Sequence, residues 1–371
     1  MELDDYRIEF PITKRVVYLD NASVSPIPQR SWRDIRIFYR ERMLEAESAW
    51  EKWVRAADEV RRLAANLINA SPEEIALLKN TSEGINVVAH GLRWRKGDSV
   101  IITDLEFPSN IYPWLKLRRI GVNVKIVKHR DDGTISLEDI DRSIDRSTRL
   151  VAISHVQYGN GFKIDLKELR RLTEGRCLLL VDAVQSLGAI PVEARYADFI
   201  SAGGHKWLLS PFGVSIFYVS KSVKLESPYV GWASVERPDD FSPHMKLAKS
   251  ARRFEIGCLD FSSIYGLRAS LQMLLEVGIR RIESRLKRLG DIIFEEADKL
   301  RIPTQTPKDP SQRAGIFNLK VDGCARVVER LKKERVIVAA RMNGIRISPH
   351  FYNNEEDVYR CLEVLSKTIK S

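Results

Sequence analysis

Cysteine is scarce in this chain, with four residues in 371, at positions 177, 258, 324 and 361. They are widely spaced and form no CxxC pair, so neither a disulfide framework nor a zinc site is expected. The six histidines are equally dispersed, and metal binding finds no support. Long apolar runs are also missing. The longest are strand-sized and interrupted, so no segment is expected to span a bilayer. The first residues, Met1-Glu2-Leu3-Asp4-Asp5, are acidic and lack an apolar core. A secretory signal is therefore not expected, and the cytoplasm is the expected location.

What is present is ordinary for a globular protein: 44% hydrophobic and 30% charged residues, enough for a large domain and a smaller one. The net charge is +10. Over 280–299, however, lysines and arginines are interleaved with acids, as on a solvated, ion-paired helix face. A nucleic acid or membrane partner is not expected, although anionic ligands suit the balance.

Helical periodicity covers 32–68, and a strand is expected at 75–78. Asn80-Thr81-Ser82-Glu83 then caps a helix over 84–92. Strands at 99–103, 122–127, 150–155, 177–182, 199–201 and 214–219 follow, with helices at 110–119, 137–143 and 166–173 between the earlier ones. Apolar strands alternating with helices indicate an α/β fold, with a mostly parallel sheet flanked by helices. A long helix over about 262–299 links to a smaller α+β unit, with strands at 315–321, 337–339 and 344–348 and helices at 325–334 and 355–369. The expected domains are 17–235, and 1–16 together with 236–371.

In such sheets ligands bind beyond the carboxyl ends of the strands. Several polar groups fall at those ends: Thr81 and Ser82, the segment 106–110, His155 to Gly161, Asp182 with Gln185, and His205-Lys206. Alone, Asp182 reads as a helix cap, Lys206 as a surface lysine and Phe107 as core. Together, an acid ending a buried strand and a lysine in the Gly-rich turn Gly203-Gly204-His205-Lys206 are what pyridoxal phosphate requires. The amine forms a Schiff base with the aldehyde, and the carboxylate keeps the pyridine nitrogen protonated.

Motifs in order along the chain carry a resemblance. They are Tyr18-Leu19-Asp20-Asn21-Ala22, Asn80-Thr81-Ser82-Glu83-Gly84-Ile85-Asn86, Glu106-Phe107-Pro108-Ser109-Asn110, Val181-Asp182-Ala183-Val184-Gln185, Gly203-Gly204-His205-Lys206-Trp207, Arg253-Phe254-Glu255 and Arg346-Ile347-Ser348-Pro349-His350-Phe351-Tyr352-Asn353. The chain resembles the class V aminotransferases of the fold-type I pyridoxal phosphate enzymes. That family also holds cysteine desulfurases and isopenicillin N epimerase-like proteins.

The resemblance implies a seven-stranded large domain and a homodimer with shared active sites. It implies that Lys206 is the Schiff-base lysine and proton shuttle, Asp182 the pyridinium partner and Gln185 a donor to the phenolic oxygen. Thr81, Ser82 and His205 become phosphate ligands, Phe107 the stacking ring, and Arg346 and Asn21 substrate contacts. Gln157, Tyr158 and Asn160 are all candidates for a further contact to that oxygen. Departures from the family pattern include Gly203, where Ser or Thr often stands two residues before the phosphate-binding histidine. Cys258 stands where the partner subunit often supplies a threonine. No cysteine precedes Arg346 on its loop, where desulfurases carry their nucleophile. The implied activity is that of an aminotransferase or a C–S/β-lyase, with desulfurase or epimerase as alternatives.

Overall fold

The computed structural model describes residues 2–241 and 243–370. The described chain opens with two short 3-10 helices, Leu3–Glu9 and Pro11–Lys14, and a short strand, Val17–Tyr18 (β1), followed by helices Gln29–Leu44 (α1) and Trp50–Ile68 (α2). The continuous helical pattern expected over 32–68 is thus two helices. Ala46 takes a φ of 49°, in the left-handed region that ends a helix, before the chain restarts at Trp50.

Next come Ile75–Leu78 (β2), Thr81–Gly91 (α3), Ser99–Thr103 (β3), Tyr112–Leu117 (α4), Asn123–Val127 (β4), Leu137–Ser143 (α5), Thr148–Ser154 (β5), Leu166–Thr173 (α6), Leu178–Asp182 (β6), Phe199–Gly203 (β7) and Ser215–Val219 (β8). The helix α3 begins earlier than the pattern suggests. Asn80 is its cap, its side chain accepting from Glu83 N, so Thr81 and Ser82 lie in the first turn. The helix α4 is shorter than the expected 110–119, with Pro113 in its first turn.

Seven strands form one sheet in the order β2-β8-β7-β6-β5-β3-β4, in which only β8 runs antiparallel. Alternate residues of each strand feed different faces. Leu77, Ile101, Val151, Val181 and Ile200 pack with Val60 of α2. Ala76, Val100, Leu150, Leu180 and Phe199 pack with Ile85 and Val88 of α3. Burial on both faces is why these strands read as continuous apolar runs.

The remaining elements are Phe261–Val277 (α7), Ile279–Lys299 (α8), Phe317–Lys320 (β9), Cys324–Lys333 (α9), Val336–Ile337 (β10), Ala339–Arg341 (β11), Gly344–Ile347 (β12) and Glu355–Lys370 (α10). The single helix expected over 262–299 is two, because Gly278 at φ 86° breaks it. Leu267 and Leu271 of α7 join the sheet's core, whereas Leu289 and Ile293 of α8 join a separate cluster with β9, β12 and α10. β9, β12 and β11 form an antiparallel sheet, and β1 pairs with β10 in parallel. Among the described residues no helix is long and apolar enough to cross a membrane.

Candidate active site

The carboxyl ends of β5, β6 and β7 lie side by side, with Ser154 paired to Asp182 and Asp182 to Ser201. Asp182 is the last residue of β6 and is buried. One of its oxygens accepts from Val184 N at 2.9 Å. Burial raises its proton affinity above the usual carboxylate range, and Glu106 adds to this while Lys206 opposes it. Lys206 follows β7 in a turn closed by Gly204 N to Val214 O and by Leu209 N to Lys206 O. Its amine donates no hydrogen bond among the described residues and stands 5.7 Å from the Phe107 ring centroid. Burial lowers its proton affinity, Asp182 opposes this, and the charges of Arg346 and Arg341 add to it.

The helix α3 is pinned to β7 at its amino end. Thr81 Oγ1 accepts from Gly203 N at 2.9 Å, and Ser201 Oγ donates to Thr81 O. Gly84 makes this approach possible, since a Cβ there would lie 2.4 Å from Ser201 Oγ. The first-turn N–H groups of α3 thus sit beside the lysine turn, which is the arrangement that binds phosphate. Ser82 Oγ meets Ser109 Oγ at 2.7 Å. The His205 ring stacks on Phe212 with centroids 4.8 Å apart, and burial pushes its pKa down to about 4.

Gln185 is held at both ends of its amide. Its Oε1 accepts from Trp207 Nε1 at 2.8 Å, and Nε2 donates to Ala22 O at 3.0 Å. One amide hydrogen is left over. Arg346, on β12, is buried. It donates to Tyr158 O at 2.9 Å, to Asp20 Oδ1 at 3.0 Å and to Ser23 Oγ at 2.5 Å, and its Nε has no partner among the described residues. Tyr158 in turn packs edge-on against Phe107, with centroids 5.1 Å apart.

These contacts bring Lys206, Asp182, Phe107, Thr81, Ser82, Gln185, His205 and Arg346 to one edge of the sheet. Asn21 differs from expectation. It is buried and bonded to Ser348 O, Ser25 Oγ and Tyr352 OH, so it ties the segment before α1 to the end of β12 rather than facing a substrate. Asn160 is engaged with Gly133 O and Phe162 N.

Two contributors were missed in sequence. Trp207 orients Gln185. Glu106 is a buried carboxylate that accepts from Thr103 Oγ1, Asn110 Nδ2, Ser154 N, Ser154 Oγ and Gln157 Nε2, tying β3, β5 and the Phe107 loop together. Its motif position was visible, but its partners come from separate strands.

The donor set fits pyridoxal phosphate. A lysine amine without a hydrogen bond, a strand-end acid with one backbone donor and an orphaned buried guanidinium N–H are all met by an aldehyde, a pyridine nitrogen and a substrate carboxylate. Among the described residues no three His, Cys, Asp or Glu side chains converge on a metal position.

Comparison with known proteins agrees. The chain is 32% identical to a probable cysteine desulfurase of Methanothermobacter thermautotrophicus, over 99% of this chain and 98% of that one. Its fold matches the apo cysteine desulfurase of Thermococcus onnurineus NA1 with a TM-score of 0.91, at 27% identity and covering 99% and 98% of the two chains. A C-DES mutant with glycine covalently linked to the PLP cofactor matches with a TM-score of 0.90, at 22% identity over 97% and 98%. The family model for Aminotransferase class-V matches residues 17–361, and the chain belongs to that family.

Proposed function

We propose that this pyridoxal phosphate-dependent enzyme is a C–S/β-lyase for an α-amino acid carrying sulfur at Cβ. The relatives named above point to a cysteine-like substrate. The observation that carries the reading is where the thiols are. Arg346 lies on a hairpin, 339–347, that contains no cysteine. Cys324 and Cys361 belong to the second apolar cluster, Cys177 lies before β6 at the opposite edge of the sheet, and Cys258, exposed beyond Glu255, stands at the place of a partner subunit's phosphate contact and not on the Arg346 hairpin. Persulfide chemistry needs a positioned thiolate, whereas burial pushes the Cys361 thiol up to about 12 and the Cys177 thiol up to about 11.

When bound, the cofactor supplies an aldehyde that captures amines and a protonated ring that accepts electrons from the substrate Cα. Lys206 holds the aldehyde carbon and, once released, takes the proton from Cα. Its lowered proton affinity leaves a larger neutral fraction for that task. Asp182 holds the ring nitrogen. The free Gln185 hydrogen serves the phenolic oxygen. Thr81, Ser82, His205 and the first turn of α3 hold the phosphate, and Arg346 grips the α-carboxylate. Asn21 acts by positioning the segment that carries Asp20 and Ser23.

Transamination is the second reading. Phe107 favours it, since the ring above Lys206 has no proton to give to a leaving group. Incubation with L-cysteine separates the two: sulfide with pyruvate marks the lyase, amine-form cofactor without sulfide marks transamination, and sulfide with alanine contradicts both.

The reading includes two domains that meet at this site, 17–235 and 1–16 with 236–371; the separate cluster over Leu289 to Leu365 supports the second, while at the amino end Leu19 joins that cluster and Tyr6 and Phe10 join the sheet's core. It also includes a homodimer. Phe212, beside His205, and Val230, Trp232 and Ile256 are exposed apolar side chains that a second copy would cover. The cytoplasm remains the proposed location.

A further inference from the structure

β11 and β12 form a tight antiparallel hairpin. Ala339 is paired with Arg346 and Arg341 with Gly344. Residues directly opposite share a face, and so do residues two apart on one strand. Arg341 and Arg346 therefore project from the same face as diagonal neighbours, with backbones about 7–8 Å apart.

The hairpin tip is firmly placed. Met342 and Asn343 both adopt positive φ, 49° and 55°, the conformation of a two-residue turn that matches strand twist. Methionine rarely takes this conformation, so the surrounding contacts must impose it. They do. Asn318 Nδ2 donates to both Arg341 O and Gly159 O, and Gln305 Nε2 donates to Met342 O. The Met342 side chain lies against Gly159, where a Cβ would come within 2.2 Å of its sulfur. Gly159 adjoins Tyr158, whose carbonyl accepts from Arg346.

The charges at the site mouth are unbalanced. Arg346 is paired with Asp20. Arg341 is exposed, donates only to Ala340 O and has no ion pair among the described residues. Its charge acts on both Lys206 and Arg346. With the α-carboxylate on Arg346 and the phosphate beside α3, one guanidinium at the mouth remains without an anion.

We propose that Arg341 is a specificity residue that binds a second carboxylate, at the far end of the substrate side chain, so that the preferred substrates are S-substituted cysteines that carry a second carboxylate. This rests on the proposed function, because it takes Lys206 as the reacting end and Arg346 as the α-carboxylate site.

The test uses the holoenzyme and two ligands of similar size, S-carboxymethyl-L-cysteine and S-ethyl-L-cysteine, titrated against the visible cofactor band. The wild type is expected to bind the acid about tenfold more tightly, the effect of one charge-assisted hydrogen bond. In Arg341→Ala the ratio falls to about one, and Arg341→Lys keeps part of it. The visible band reports that each variant is folded and loaded. Equal constants in the wild type, a preference that survives in Arg341→Ala, or no response to either ligand overturns the inference while leaving the band intact. Absence of the band in the wild type overturns the function on which it rests, and the inference with it.

Discussion

Trp207 Nε1 donates to Gln185 Oε1 at 2.8 Å, and an indole nitrogen can only donate. The bond therefore fixes which end of the Gln185 amide carries hydrogens, and turns those hydrogens toward Ala22 O and the cofactor side. Trp207→Phe keeps the ring's bulk but frees the amide to rotate. Loss of a donor to the phenolic oxygen weakens the bias against its protonated form. The pH midpoint of the visible band is expected to move upward in Trp207→Phe. An unchanged midpoint, measured by spectral titration, would show that the orientation of Gln185 is irrelevant to the cofactor.

Arg346 is held by Asp20, Ser23 and Tyr158 before any substrate arrives. Replacing it with lysine keeps the charge but loses the fork that matches a carboxylate. Arg346→Lys should lower kcat/KM by about 10–100-fold, the cost of a charged hydrogen bond, mainly through KM. Steady-state kinetics checks this, and a purely kcat effect would place Arg346 elsewhere in the reaction.

Glu255 joins α2 to β2. It accepts from Arg61 Nε and Nη2 and from Leu77 N, and both charged side chains are buried. Arg61→Ala leaves a buried carboxylate without its cation and should cost about 3–5 kcal/mol of stability. Denaturant unfolding measures it, and a loss below about 1 kcal/mol would mean that water or a neighbour replaces the guanidinium.

His350 is fixed in its neutral form. Its Nδ1 accepts from Phe351 N at 2.8 Å, so its Nε2 carries the proton toward Trp207 O at 3.1 Å. Burial holds its pKa down to about 4. The unfolded chain takes up a proton near the ordinary value of about 6.5, while the folded one refuses it until near 4. The contribution to stability is thus fully present above 6.5 and is lost as pH falls toward 4. His155, pushed down to about 3 by burial, acts in the same direction. Thermal midpoints between pH 7 and pH 4 should fall, and should fall less in His350→Gln.

The sheet, its buried strands and the lysine–aspartate pair were legible because each is written locally. An apolar run ends in Asp182, and a Gly-rich turn ends in Lys206. The helix breaks were not. Gly278 was a visible signal inside a helical period, but Ala46 carries none, and only its φ of 49° reveals the turn. The buried bonds of Asn21 to Ser348 and Tyr352 were not legible, because they join segments more than 300 residues apart. The roles of Arg341 and Glu106 were not legible for a related reason, since they lie in strand register and in partners from other strands.

The central claim is that Lys206 holds the cofactor. Purified protein loaded with pyridoxal phosphate should be reduced with borohydride and its peptides mapped by mass. The account predicts a visible band that disappears on reduction and one reduced cofactor on the peptide containing Lys206, with neither in Lys206→Ala. A cofactor fixed to another lysine, or a loaded wild type with no lysine-bound cofactor, would contradict it.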